Sequence, residues 1–262
     1  MRLFMKGRLL KGYILYSIMS VVSRLKKLFR LGSGVDDFDW RWYHLHYQAE
    51  LTETKDTHTL VLSPGDYTFS DGALSLQSDV LPLHPNHRLL YETILQLNPT
   101  SVLEVGCGGG DHLANLSTLA PGIGLYGRDR SAEQLSLLRL RHPELNADID
   151  QLDITLPYSS RWPAVDLSFT QAVIMHIHTG NGHRVALSNL FKATTKYVVL
   201  MENWGSHNFM DAIQQIFDEK AIPWNDIFFY YRISPELNKT RIMIVSAVKL
   251  EYAPLTKYDI LL

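Results

Sequence analysis

The chain has 262 residues, of which 46% are hydrophobic and 20% are charged, values that are ordinary for a globular protein with a substantial core. Its formal net charge of −2 argues against a general nucleic-acid binder, which would be basic. The single cysteine, Cys107, excludes an internal disulfide and favours a reducing, cytoplasmic setting.

Residues 1–35 form the first predicted domain, which carries eight basic side chains and no acidic one. Apolar residues recur there at three- and four-residue spacing, which predicts an amphipathic helix. The uncharged stretch at residues 12–23 is too short to span a bilayer, which takes about 20 apolar residues. The helix either lies on the inner face of an anionic membrane through residues 1–31, or packs on the protein itself or on a second subunit. The first alternative predicts that deleting residues 1–31 releases the protein from membranes.

Residues 36–85 form the second predicted domain. Its first part is crowded with aromatic and histidine side chains: Phe38, Trp40, Trp42, Tyr43, His44, His46 and Tyr47. They form either the core of a small helical cap or faces that stack on a sugar or ring of a substrate. Residues 57–62 and 67–76 alternate in the manner of strands, and the Ser-Pro-Gly-Asp sequence between them predicts a hairpin.

Residues 86–262 form the third predicted domain. Pro82 and Pro85 predict that a helix begins just after them, over residues 86–97. A short β-prone run follows at residues 101–105 and contains Glu104. It leads into a loop with four glycines in five residues, hereafter the glycine loop (residues 106–110). Asp111 is predicted to cap the next helix.

The glycine loop predicts a nucleotide-type ligand at the carboxyl end of a parallel strand. A dinucleotide site would place a small residue at Asp111, whose carboxylate would repel a pyrophosphate. A phosphate-binding loop would need a lysine, and the glycine loop contains none. The remaining pattern, Glu-x-Gly-x-Gly-x-Gly, suits a ligand with adenosine and a positive charge but no phosphate, such as S-adenosylmethionine. Residues 102–110 therefore resemble the first motif of the class I S-adenosylmethionine-dependent methyltransferases.

Three later segments resemble the same family, so that the resemblance covers residues 86–250. A predicted strand over residues 124–129 ends in Asp129, at the distance past the loop that a ribose-binding carboxylate requires. Arg128 and Arg130 flank it and either pair with Asp129 or point to solvent. In the family, the acid matching Asp153 faces the adenine amino group.

The third of these segments, residues 165–177, is similar to the family's fourth strand and the turn that leaves it. The resemblance implies a set of cofactor-binding residues made of Glu104, Gly106, Cys107, Gly108, Gly110, Asp129, Arg130, Asp153, Ile154, Thr170 and Gln171.

The fold class predicted for the third domain is α/β, a doubly wound, Rossmann-like sheet of seven mostly parallel strands with one reversed. The first two domains form its N-terminal helical and hairpin extension. After the fourth strand we predict helices over residues 184–193 and 209–217 and strands over 195–202, 228–233 and 241–248.

Histidines just beyond the fourth strand are the candidates for catalysis. A hydroxyl or amine acceptor must lose a proton during methyl transfer, and His176 and then His178 are the predicted bases. In many relatives, however, the histidine of such a turn merely packs. Glu202 and His207, after the fifth strand, either contact the acceptor or, in the case of Glu202, cap a helix. The two histidines lack a third ligand at suitable spacing, so no metal is predicted.

The sequence therefore predicts an S-adenosylmethionine-dependent methyltransferase that O-methylates a small molecule or a lipid-linked saccharide and has no nucleic-acid partner. Three alternatives stay open. They are a module that binds S-adenosylmethionine without turnover, an N-methyltransferase of a small metabolite or protein, and an oxidoreductase using a nicotinamide dinucleotide, which Asp111 disfavours.

Overall fold

The fold was determined as a computed structural model that describes residues 60–77, 79–235 and 241–258. The predicted N-terminal helix and the aromatic cluster lie outside these residues, as does the start of the first predicted hairpin strand. Within the described part of the chain, no helix is long and apolar enough to cross a membrane. The proposed division of the chain at residues 35 and 85 stays a prediction.

Strands and helices alternate along most of the described chain. In chain order they are β1 (Tyr67–Ser70), β2 (Ala73–Leu76), α1 (Pro85–Leu97), β3 (Ser101–Val105), α2 (Asp111–Leu119), β4 (Gly124–Asp129), α3 (Ala132–Arg141), β5 (Asp148–Gln151), β6 (Val165–Gln171), a 3-10 turn (Ile174–His176), α4 (Gly182–Ala193), β7 (Thr194–Met201), α5 (Phe209–Asp218), β8 (Phe228–Ile233) and β9 (Arg241–Ser246).

Seven of these strands form one sheet in the order β5-β4-β3-β6-β7-β9-β8. All neighbouring pairs are parallel except those made by β9, which runs antiparallel to both β7 and β8. The predicted doubly wound α/β sheet with one reversed strand is therefore confirmed. Because the strand order reverses between β3 and β6, the carboxyl ends of these two strands border the crevice where such sheets bind ligands.

The sheet is covered on both faces, as a mostly parallel sheet requires. Val102 and Leu103, adjacent on β3, point to opposite faces and are both fully buried. One face packs against α1, α2 and α3, and the other against α4 and α5. The carboxyl edge of this sheet presents the loops after β3, β4, β6 and β7 side by side.

The hairpin differs from the prediction. Its two strands are β1 and β2, which both lie within the single strand predicted at residues 67–76. Asp71 and Gly72 split that run because both have positive φ (52° and 77°), the conformation of a two-residue hairpin turn. Leu60 and Leu62 instead bond to the side-chain amide of Asn115 on α2 (2.8 Å each), so the first predicted strand is wrong where it is described.

Candidate functional site

The glycine loop lies at the centre of the carboxyl edge of the sheet. Glu104, near the end of β3, is paired with Gly127 of β4 and Phe169 of β6, so the ends of these three strands lie together. The backbone N–H groups of Gly106 and Cys107 donate to the carbonyl of Arg128 (2.7 and 3.3 Å). These bonds fix the start of the loop to the end of β4.

The loop is tightly packed against the turn that leaves β6. Gly106, Gly108 and Gly110 all have positive φ (77°, 49° and 82°), which glycine adopts at little cost. A Cβ atom on Gly106 would overlap Cγ2 of Val173 and lie 3.0 Å from its Cγ1. Only a residue without a side chain fits there.

Asp111 is not the cap predicted for α2. Gly110, in the left-handed conformation, precedes the helix and makes no side-chain cap bond, while Asp111 is the first helical residue. The buried Asp111 carboxylate instead pairs with Arg141 (2.9 Å) and His142 (2.7 Å). The capping prediction is wrong because these residues, about thirty positions away, compete for the carboxylate. The pairing ties the start of α2 to the end of α3.

Glu104 is buried with 2% of its surface exposed, and no described residue gives its Oε2 atom a hydrogen bond. Burial, together with the charges of Asp111 and Asp129, raises the pKa of Glu104 well above its usual value. Such a carboxylate is costly without a partner. The site therefore favours a cationic or hydrogen-bond-donating ligand group at this point.

Asp129 ends β4 and faces the glycine loop. Its Oδ2 accepts the Gly108 N–H (2.9 Å) and its Oδ1 accepts the Ser131 N–H (2.8 Å). Burial raises the pKa of Asp129, and these two bonds, with the charge of Arg130, lower it in part. Each carboxylate oxygen has a second acceptor position, so both can still accept a bond from a ligand hydroxyl.

Arg128 follows neither of the two predicted alternatives. Its guanidinium is buried and donates to the carbonyls of Gly127 (2.9 Å) and Asp148 (2.8 Å), where it supports the edge strand β5. It therefore neither pairs with Asp129 nor points to solvent, because its Nη1 donates to these two carbonyls. Arg130 is half-buried, and its backbone carbonyl accepts a bond from Gln151 (2.9 Å).

Asp153 and Ile154 follow β5 and adjoin Asp129, whose carbonyl accepts the N–H of Leu152 (2.9 Å). The Oδ1 of Asp153 accepts both the N–H and the hydroxyl of Thr155 (2.8 and 2.6 Å). These bonds orient the carboxylate, while Ile154 beside it is buried. An oriented acceptor next to an apolar side chain is suited to the edge and face of a heterocyclic base.

The end of β6 is held by Glu202, which follows β7. The Thr170 hydroxyl donates to Glu202 (2.7 Å), and so do the backbone N–H groups of Val173, Ile174 and Met175 at 3.0 to 3.3 Å. Glu202 thus caps the turn after β6 and not the helix α5 that follows it. The sequence did not indicate this role. Gln171 is half-buried, and no described residue gives its Oε1 a partner.

The predicted bases lie in and after that turn. His176 ends the 3-10 turn and is half-buried, whereas His178 is exposed. The ring of His178 lies 5.2 Å from that of His207, which stacks on His183 at 4.3 Å. Sequence reasoning missed His183, because nothing in the spacing of residues 178, 183 and 207 indicates that three separate elements bring them together.

Two of these imidazoles, those of His183 and His207, have lowered pKa values and favour the neutral state. Burial and the neighbouring His183 and His178 lower the pKa of His207 to about 4, and no described residue bonds to its Nε2. Burial also lowers the pKa of His183. Within the described ranges, no group of three or more His, Cys, Asp or Glu side chains is placed to hold a metal ion.

Comparison with known proteins bears on the fold. No protein-family model and no curated protein matches the sequence. Among solved structures, the chain is similar to the methyltransferase domain of a bacterial Hen1 protein, CtHen1-C, with a TM-score of 0.50 and 16% identity over 62% of this chain and 98% of that one.

Two further structures show a weaker likeness. A TehB-like SAM-dependent methyltransferase from Corynebacterium glutamicum has a TM-score of 0.49 and 14% identity over 82% of this chain and 97% of that one. CalS10, an amino pentose methyltransferase from Micromonospora echinaspora, has a TM-score of 0.40 and 19% identity over 45% and 50% of the two chains. The strand order and the likeness to the Hen1 domain agree with the family resemblance of the sequence. The chain has the fold of the class I S-adenosylmethionine-dependent methyltransferases.

Proposed function

We propose that the protein is an S-adenosylmethionine-dependent methyltransferase. The observation that carries this proposal is the buried Glu104 carboxylate with a partnerless Oε2 beside the glycine loop. The two other acids near it already have partners. Asp111 pairs with Arg141 and His142, and Asp129 accepts hydrogen bonds from two backbone N–H groups. A positively charged ligand would therefore find one acid free to receive it.

The other predicted residues suit the remaining parts of this cofactor. Asp129 has acceptor positions left for the two ribose hydroxyls, and charged acceptors form the stronger hydrogen bonds. Asp153 offers its second carboxylate oxygen to the adenine amino group, with Ile154 against the ring. Gln171 supplies an amide oxygen that is buried and unpartnered within the described residues. The glycine loop, which includes Cys107, completes the binding set, and Thr170 adjoins it at the same edge with its hydroxyl bonded to Glu202.

The cofactor supplies an activated methyl group, and the protein must align an acceptor with it. The acceptor hydroxyl must also lose its proton, for which we propose His176 and then His178. Both lie on the segment that follows β6, beside the crevice. Beside His178 lie His207 and His183, whose lowered pKa values favour neutral imidazoles that can accept a hydrogen bond from a hydroxyl.

We propose a small molecule or a lipid-linked saccharide as the acceptor. The support comes from the sequence: a basic, amphipathic N-terminal segment, a cluster of aromatic side chains and an overall charge of −2, which disfavours nucleic acid. N-methylation of a metabolite or protein is the second candidate, since the same histidines would serve an amine.

Calorimetric titration with S-adenosylmethionine and with NAD tests the cofactor. We expect the first to bind and the second not to bind, and the reverse result would overturn the proposal. Incubating cell extracts with the protein and deuterated-methyl cofactor should then transfer the label to the acceptor, which mass spectrometry identifies. Cofactor binding with no label transferred to any extract would favour a binding module over an enzyme.

Proton release on binding provides a further check on Glu104. Without ligand its pKa is raised by burial and by Asp111 and Asp129, and a cation placed beside it would lower that pKa. Between the two pKa values, binding must release a proton, so affinity should rise as pH rises. Calorimetry in buffers of different ionisation enthalpy measures the release. Glu104→Gln should abolish it, and equal proton release by this variant would contradict the assignment.

A further inference from the structure

We infer that Glu202 is a positioning residue for the cofactor site: by holding the turn after β6, it keeps Val173 pressed against Gly106. The inference rests on the proposed function, because it assigns a role in cofactor binding to a residue that does not itself belong to the glycine loop. It involves three connected parts, namely the end of β7, the turn after β6 and the start of the glycine loop.

The first step is the set of hydrogen bonds by which Glu202 holds the turn. Three successive N–H groups, those of Val173, Ile174 and Met175, point at one carboxylate, with distances of 3.0 to 3.3 Å. The Thr170 hydroxyl adds a fourth donor at 2.7 Å. Glu202 is 7% exposed, so these bonds replace the water that the carboxylate lost on burial.

The second step is that the turn needs this support. Ala172, just before the three N–H groups, has a φ of 53°, a left-handed conformation that residues with a side chain rarely adopt. Such a conformation is strained and persists only where surrounding contacts impose it. The bonds to Glu202 and the Ala172 N–H bond to Met201 (3.0 Å) are those contacts.

The third step leads from the turn to the cofactor site. The side chain of Val173 occupies the space that a Cβ atom on Gly106 would take, so the two residues are in direct contact. Gly106 in turn donates its N–H to Arg128, at the end of β4 (2.7 Å). A shift of Val173 therefore alters the glycine loop and its distance from Asp129.

The test is Glu202→Gln in the full-length protein, measured by calorimetric titration with S-adenosylhomocysteine and by thermal unfolding without ligand. The glutamine amide keeps the side chain's size but turns a donor towards the backbone N–H groups. We expect the affinity for S-adenosylhomocysteine to fall about tenfold. Thr170→Val, which removes only the hydroxyl donor, should lower the affinity about threefold, and it provides a second test if the first variant does not fold.

Glu92→Gln is the matched control, because Glu92 is also a buried carboxylate (9% exposed) that holds a backbone N–H, that of Leu74 on the hairpin (2.9 Å). It should lower the unfolding temperature and leave the affinity unchanged. The inference is overturned if Glu202→Gln and Thr170→Val bind as the wild type does, or if Glu92→Gln loses affinity to the same extent. A wild-type protein that binds no S-adenosylhomocysteine would instead refute the proposed function.

Discussion

Gly106→Ala should abolish measurable binding of S-adenosylhomocysteine. Alanine at a φ of 77° costs about 1–2 kcal/mol in the backbone. Its Cβ atom would also overlap Val173, and overpacking of this kind costs about 1–3 kcal/mol more. The loop can relieve the overlap only by moving away from the turn after β6, which displaces the N–H groups that we propose to line the ligand. Calorimetric titration of the folded variant measures the loss.

Gly122→Ala is a matched control for this substitution. Gly122 also has a positive φ, 102°, but a Cβ atom added there would meet nothing within 4 Å. The control should therefore lose stability through its backbone and keep the affinity for the ligand. If Gly106→Ala binds S-adenosylhomocysteine as well as Gly122→Ala does, the glycine loop does not contact the cofactor as we propose.

The sequence predicted the sheet well because its signals are local. The strands at residues 124–129 and 228–233 have the predicted bounds, since each is a β-prone run ended by turn or polar residues. The glycine loop was recognisable for the same reason, as Glu104 and four glycines lie within seven residues. The doubly wound topology then followed from the alternation of strands and helices.

The features that could not be predicted depend on partners distant in sequence. Asp111 has the chemistry of a helix cap, and only the fold reveals that Arg141 and His142 reach it. Glu202 is 27 or more residues from the N–H groups that it accepts. The hairpin is the exception, because the signal that its prediction missed is local. The Asp71-Gly72 pair is a strong turn signal that the alternation of the surrounding residues concealed.

The candidate site is consequently better defined on the cofactor side than on the acceptor side. The proposed cofactor residues follow strand ends in one order along the chain, so their spacing predicts them. Beside the proposed acceptor position lie His178, His183 and His207, which come from three separate segments of the chain. Their common location follows from the parallel neighbours β6 and β7, whose following loops meet at one edge of the sheet.

Asp129→Asn should weaken cofactor binding by about 1–3 kcal/mol, or roughly 5- to 150-fold, the range for losing hydrogen bonds to a charged group. The carboxylate both holds the glycine loop through Gly108 and, as we propose, accepts the ribose hydroxyls. The amide of asparagine cannot do both, because its nitrogen would face a donor on one side or the other. Titration with adenosine and with S-adenosylhomocysteine separates the two roles.

Adenosine carries the ribose but not the methionine part, so a lost ribose contact should weaken both ligands by the same factor. A displaced loop should weaken S-adenosylhomocysteine more, because in the proposed site only that ligand extends along the loop. Asp150→Asn on the neighbouring strand is the control, since Asp150 is partly exposed and pairs with Arg161 (2.7 Å) at the edge of the sheet. It should bind both ligands normally. Equal affinities for Asp129→Asn and the wild type would mean that the ribose lies elsewhere, and with it the adenosine that Asp153 and Ile154 are proposed to hold.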